Sequence, residues 1–133
     1  MMKLLLAVLL SIVSTEAWSQ QSVVTPSTTN SIAITGTVAT TTVIVTGVAS
    51  KSVYVTSVAL VPVATSVVTF TQGTGAACAT GTSSVTGAMT FNAGQVLTLG
   101  DGYGAVWALL PGNSLCITVG TVAAPGSLSY SQF

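Results

Sequence analysis

Hydrophobic and polar residues alternate along the chain from about residue 31 onward. Three related phrases follow one another at the spacing of a strand plus a turn: Ile32-Ala-Ile-Thr-Gly36, Val43-Ile-Val-Thr-Gly47 and Val53-Tyr-Val-Thr-Ser57. Because successive side chains of a strand point to opposite faces, each phrase predicts a strand with one apolar face. The spacing further predicts a β meander, in which these successive strands pair with one another.

Strand-like segments of the same kind fill the rest of the chain. The strand that begins at Val53 extends to about Leu60, and Pro62 ends it. Further strands are predicted at 64–71, 84–91, 95–99, 105–109, 114–119 and 127–131. Turn signals separate them at 73–83, 92–94, 100–104, 111–113 and 124–126. The pattern predicts an all-β protein, with a single β-sandwich or jelly-roll-like domain of about eight strands over residues 31–133.

The N-terminal segment has the three parts of a secretory signal peptide. Lys3 precedes a mostly apolar run, Leu4–Val13, and small residues then precede cleavage points before Gln20 or before Trp18. The run is too short for a bilayer, which needs about 20 residues. We predict a signal peptide over 1–19, with an uncleaved apolar segment as the alternative, and an exported protein without a stable membrane span. Polar residues 20–30 are predicted to form a flexible arm.

Charge is nearly absent, and this limits the chemistry that the domain can perform. Only 3% of residues are charged and none is His, so that Lys51 and Asp101 are the charged side chains left after residues 1–19 are removed. General acid–base catalysis, glycoside hydrolysis and zinc binding each need more titratable groups. Nucleic-acid binding needs clustered Lys or Arg. We therefore predict no enzymatic activity, no cofactor, no metal and no nucleic-acid partner.

The two cysteines, Cys78 and Cys116, are predicted to form a disulfide, because an even number of cysteines in an exported protein favours pairing. In the strand at 114–119, Cys116 points away from the apolar row of Leu115, Ile117 and Val119. This orientation suits a bond to a cysteine in a loop that lies over the sheet. Two free buried thiols are the alternative, since free cysteine is common in protein cores.

The glycine-rich segment Gly100-Asp-Gly-Tyr-Gly104 contains the best candidates for a ligand contact. A phosphate loop opens a helix, whereas this segment precedes a strand-like stretch, so a tight connection between strands is predicted. Tyr103 and Asp101 are possible contacts for a glycan, because an exposed aromatic ring can stack on a sugar. Most other aromatic residues are predicted to lie in the core or in a subunit interface.

Residues 53–133 resemble small Ala/Val/Thr-rich β proteins that are found in tailed phages and in marine viral sequences. The resemblance rests on four phrases: Val53-Tyr-Val-Thr-Ser-Val-Ala-Leu60, Ser84-Val-Thr-Gly-Ala-Met89, Pro111-Gly-Asn-Ser-Leu115 and Ser127-Leu-Ser-Tyr-Ser131. Many of these viral proteins are virion structural or decoration-like proteins. The resemblance implies a jelly-roll-like subunit that forms small symmetric oligomers, with a trimer favoured, on a particle or a fibre.

Three functional hypotheses follow from these observations. The first is a non-enzymatic virion decoration or fibre subunit, whose partners are further copies of itself and other virion proteins. Capsids assemble in the cytoplasm, so the signal-like segment raises the second hypothesis, a secreted bacterial surface or fibre subunit. The third is a secreted carbohydrate-binding module. A low charge favours association, but a monomer coated with Ser and Thr hydroxyls is also compatible with this composition.

Overall fold

A computed structural model describes residues 29–36, 39–101 and 103–133. The strands are β1 Asn30–Gly36, β2 Thr41–Val45, β3 Val53–Leu60, β4 Ser66–Thr74, β5 Thr80–Ser84, β6 Met89–Phe91, β7 Leu97–Leu99, β8 Trp107–Ala108, β9 Ser114–Val119 and β10 Ala124–Gln132. A 3-10 turn at Ala76–Cys78 is the only helical element of the described residues. The predicted signal peptide and residues 20–28 of the predicted arm lie outside this part of the chain. Asn30, which we assigned to the arm, is instead the first residue of β1.

The strands form two antiparallel sheets. The first has the order β1-β10-β3-β7, with β8 also paired to β3, and the second has the order β2-β9-β4-β5, with β6 also paired to β4. Each sheet therefore has four strand positions, and the last position of each is divided between two short strands. Counted this way, the strand order within the described residues is that of a jelly roll. The prediction of an all-β sandwich with about eight strands is confirmed.

The predicted β meander is wrong. The three related phrases do lie in β1, β2 and β3, but β1 pairs with β10, β2 pairs with β9, and β3 pairs with β10. β1 and β3 lie in the first sheet and β2 lies in the second, so none of these three strands pairs with another. Composition identifies these strands, but β1, β2 and β3 each pair with a strand far away in sequence, and local spacing carries no information about such pairing.

The core lies between the two sheets and consists of the inward rows of the longest strands. In β9 the apolar row of Leu115, Ile117 and Val119 is fully buried, as its alternation predicts. Phe70 of β4 and Trp107 of β8 meet across the interior with ring centroids 4.9 Å apart. The other buried apolar residues are Ile34, Ile44, Val45, Val53, Val55, Val58, Leu60, Val68, Phe91, Leu109, Ala124 and Leu128.

Two predicted boundaries in the middle of the chain need correction. The segment 84–91 is not one strand, because β5 ends at Ser84 and β6 begins at Met89. The backbone between them leaves the ladder, and Val85 N and Thr86 N both donate to Phe70 O. The Thr86 hydroxyl in turn accepts a hydrogen bond from Phe70 N. The predicted loop 73–83 likewise contains the 3-10 turn and most of β5.

The turn predicted at 124–126 is also wrong, because these residues begin β10. Pro125 is the second residue of the strand and is exposed. It pairs with Thr35 of β1 and lies beyond the end of β3, where its missing N–H costs little. Gly126 is required for close packing, since a Cβ at this position would clash with Ala59 O and with Leu60.

Candidate functional site

The cysteine pair lies on the outer face of the second sheet. Cys116 pairs in register with Val43 of β2 and Thr71 of β4, and its side chain points away from the core. The 3-10 turn lies over this face and brings Cys78 to it, so that the two sulfurs are bonded at 2.07 Å, with the Cα atoms 6.3 Å apart. Both cysteines are buried. The predicted disulfide is confirmed, including its geometry of a loop cysteine over the sheet.

The loop that carries Cys78 has an unusual backbone. Ala77 and Cys78 both have positive φ, at 50° and 56°, a conformation that costs non-glycine residues free energy. The Thr82 hydroxyl donates a hydrogen bond to Cys78 O and so ties the turn to β5. The disulfide fixes the other side of the same turn to β9. This covalent bond therefore acts as the anchor of the loop, which is a structural role.

The glycine-rich segment leaves the edge of the first sheet between β7 and β8. β7 pairs with residues 58–60 of β3 and β8 pairs with Tyr54 and Val55, so the edge is interrupted at the level of Thr56. The pairing of β3 with β10 shifts at the same level, which leaves Thr56 as the extra residue of a β-bulge. The Thr56 hydroxyl donates to Ser129 O at 3.2 Å. The bulge and the loop thus occur together.

Asp101 and Tyr103 are both exposed in this segment, and Tyr103 retains 76% of its accessible surface. Asp101 Oδ1 accepts a hydrogen bond from Tyr103 N at 3.1 Å. This contact is a local Asx-type turn, in which the carboxylate holds the backbone of the loop. The structure therefore brings the two predicted residues together in a turn, and the Tyr103 ring is exposed to solvent. The exposed Tyr103 ring has an apolar face on which a cyclic ligand can stack.

The prediction that most aromatic side chains lie in the core holds for Phe70 and Phe91, and for Trp107 and Tyr130, which pack against it. Tyr54 stacks on Phe133 with centroids 4.6 Å apart. Phe133 is half exposed. Tyr103 is consequently the most exposed aromatic residue of the described chain.

Gln72 makes polar contacts that were not predicted from the sequence. Gln72 Oε1 accepts hydrogen bonds from Leu110 N at 2.8 Å and from Asn113 Nδ2 at 3.3 Å. These contacts join the end of β4 to the turn before β9. The sequence carries no signal for them, because Gln72 and its partners are about 40 positions apart.

No group of three or more His, Cys, Asp or Glu side chains comes together in the described ranges. Within the same ranges, no helix is long and apolar enough to cross a bilayer. Lys51 lies in the turn region before β3, on a different loop from Asp101, and its main chain bonds to Val48 O and Gly112 N.

No protein-family model, curated protein or solved structure matches this chain.

Proposed function

We propose that this protein is a non-enzymatic structural subunit that acts through its shape and through apolar contacts, as a homo-oligomer on a particle or a fibre. The observation that carries the proposal is the character of the surface. Lys51 and Asp101 are the charged side chains of the described residues, whereas eight large apolar side chains are substantially exposed. These are Val48, Val61, Val63, Val67, Val96, Tyr103, Leu110 and Phe133.

A surface of this kind favours contact with other protein. Net charge near zero promotes association, and protein interfaces are depleted of charge at their centres. A second copy of the chain is the simplest partner, because the same uncharged surface on both sides brings no like charges together. The Asp101 carboxylate has a local role in its own loop, which supports a structural rather than a catalytic function.

The proposed setting is the virion of a tailed phage, as a decoration or fibre subunit. Its support is the resemblance of the phrases in residues 53–133 to small viral β proteins, together with the jelly-roll strand order. The disulfide is typical of oxidising compartments and supports an exported or extracellular location. A secreted bacterial surface or fibre subunit fits the same disulfide and the same surface.

A glycan-binding module is the second candidate function, and the exposed ring of Tyr103 favours it. The Asp101 carboxylate accepts a hydrogen bond from the Tyr103 main chain, on a loop that interrupts the sheet edge. Such a ring can stack on a sugar, and aromatic side chains gain their contact area at low entropic cost. This candidate places function in one loop, whereas the structural proposal places it in the whole surface.

Two measurements test the structural proposal. Light scattering of the purified mature chain over a concentration series should give a mass above that of one subunit. Mass spectrometry of purified virions, and separately of culture supernatants, should detect the chain in an assembled particle or fibre and show whether residues 1–19 are retained. A monomer at every concentration that is absent from all particles and fibres would overturn the proposal.

A further inference from the structure

The free edges of the two sheets differ in continuity. β5 and β6 form one edge of the second sheet, and β7 and β8 form one edge of the first, and both are interrupted by loops. At the other edge of the second sheet, the register of β2 shifts between Val43 and Val45. Interruptions and bulges of this kind are the devices that keep sheet edges from pairing with other chains.

β1 has none of these devices. It pairs with β10 at all seven positions, from Asn30 to Gly36, without a shift in register. It contains no proline and no charged residue. Its other side faces away from the sheet, and by the geometry of a strand every second residue directs its N–H and C=O toward that side. Among the described strands, β1 is therefore the one regular edge left open.

We propose that β1 pairs antiparallel with β1 of a second copy, about a two-fold axis centred on Ala33. This residue is the midpoint of the strand, so this register pairs all seven residues. The pairing joins the first sheets of two subunits into one continuous sheet and keeps their core faces on the same side. The inference rests on the proposed function, and it identifies the surface through which the subunits assemble.

The side chains of β1 suit this register on both faces. On the core face, Ile34 is buried and Ile32 is half buried at the margin of the core. The two-fold axis places Ile32 beside Ile34 of the partner subunit, which extends the apolar core across the contact. On the outer face, Ala33 lies opposite the partner's Ala33, and the exposed Ser31 lies opposite the partner's Thr35. Directly opposed side chains of similar character stabilise the pairing of two antiparallel strands.

The absence of charge on β1 favours a second copy of the chain as the partner of this edge. An isologous contact brings each residue against its own symmetry mate or against its neighbour, so a charge near the axis meets a like charge. β1 carries none. A seven-residue edge is a small contact by itself, and we expect it to act at high local concentration or together with other contacts in a larger assembly. The contact closes at two copies, so it predicts even numbers of subunits, whereas the viral resemblance implies a trimer.

Cysteine cross-linking tests the register directly. The side chain of Ala33 is exposed, and the native cysteines are buried in their own bond. Opposed residues in an antiparallel pair have Cα atoms about 4.5–5.5 Å apart, within the range of a disulfide. Ala33→Cys should therefore give a covalent dimer under mild oxidation. Ser127→Cys is the matched control, because Ser127 is exposed, pairs with Ala33 and lies one strand from the edge; it should remain monomeric on a non-reducing gel.

Charge exchange tests the symmetry of the contact. Ala33→Lys and Ala33→Glu each place like charges opposite one another and should each lower the oligomer mass at a fixed concentration. An equimolar mixture of the two variants should restore the mass by forming mixed dimers. The substituted side chain is at an exposed position, so each variant should keep its fold. Circular dichroism checks that each variant retains its β signal.

The outcomes separate this inference from the proposed function. A cross-link specific to Ala33→Cys, with recovery in the charge mixture, supports the two-fold pairing. An oligomer that forms normally in Ala33→Lys, an odd subunit number, or equal cross-linking of both cysteine variants overturns the pairing but leaves a self-assembling subunit. A wild-type chain that stays monomeric and an Ala33→Cys variant that forms no cross-link would overturn both.

Discussion

The ring of Phe70 contacts the ring of Trp107 across the interior of the sandwich, with centroids 4.9 Å apart and planes tilted by 45°. Phe70 belongs to the second sheet and Trp107 to the short strand β8 at the edge of the first. Tilted aromatic pairs contribute more than their buried area alone. This contact therefore links the centre of one sheet to the interrupted edge of the other.

Removal of the Phe70 ring is expected to be strongly destabilising. Phe70 is completely buried, and Phe→Ala in a core typically costs about 3–5 kcal/mol. Phe70→Ala should lower the free energy of unfolding by about this amount in urea denaturation at fixed protein concentration. Tyr103→Ala removes an aromatic ring that is mostly exposed and should change stability by less than about 0.5 kcal/mol. Equal losses in the two variants would contradict the assignment of the core.

The disulfide is expected to supply a large share of the stability. Cys78 and Cys116 are 38 positions apart, and the chain-entropy model gives about 4 kcal/mol for a loop of this length. Replacing both cysteines with Ala should lower the free energy of unfolding by an amount near this value, because Ala leaves no unpaired polar group in the buried site. A reducing agent should destabilise the wild type and have no effect on the double variant. If reduction destabilises both equally, the bond is not the cause.

Strand character could be predicted from local patterns, and the disulfide could be predicted from the even number of cysteines. The alternation in 114–119 directly records which side chains face the core. It also showed that Cys116 points outward, toward the loop that carries Cys78. In Val53–Leu60 the bulge at Thr56 shifts this alternation by one residue, so that Val53 and Val55 face the core before it and Val58 and Leu60 after it. The partner of each strand could not be read, because β1 pairs with β10 across almost the whole chain.

The interruption between β5 and β6 could not be predicted for a related reason, whereas the one between β7 and β8 falls at the predicted turn 100–104. Val85 and Thr86 continue the β-like composition of their segment, and only the hydrogen bonds to the Phe70 main chain show that this part leaves the ladder. In the candidate ligand loop, the sequence indicated an exposed Tyr103 beside Asp101. It did not indicate that the carboxylate bonds to the loop backbone, since Asp–Gly segments also occur in loops without this contact.

Two glycines of the same loop are expected to respond in opposite ways to substitution. Gly100 has a φ of +71°, and a Cβ there would clash with Thr56 O. Gly104 has no atom within reach of an added Cβ and has no positive φ. Gly100→Ala should therefore destabilise the protein by more than about 1 kcal/mol, whereas Gly104→Ala should be neutral or stabilising by up to about 1 kcal/mol. Thermal denaturation of the pair measures the difference. A neutral Gly100→Ala would show that the loop does not pack against the Thr56 bulge.

Asp101 is expected to matter as a hydrogen-bond acceptor and not as a charge. Asp101→Asn keeps a side-chain oxygen for Tyr103 N and should change stability by less than about 0.5 kcal/mol, even when combined with Lys51→Ser. Asp101→Ala removes the acceptor and should cost about 1 kcal/mol. Both the stability and the oligomer mass of the double variant should match the wild type. A hydrolytic or other turnover that disappears in Asp101→Asn would overturn the non-enzymatic proposal.

Tyr103 distinguishes the structural subunit from the glycan-binding module. In the structural subunit, Tyr103 is one of several exposed apolar side chains and lies on the edge of the first sheet opposite β1, with β10 and β3 between them. Tyr103→Ala should therefore leave the oligomer mass and the Ala33→Cys cross-link unchanged. Binding of the wild-type chain to a glycan array tests the other candidate, with Tyr103→Phe as the control that keeps the ring. If the array gives a signal that Tyr103→Phe retains and Tyr103→Ala loses while the oligomer survives, the loop is a sugar-binding site and the assembly presents it.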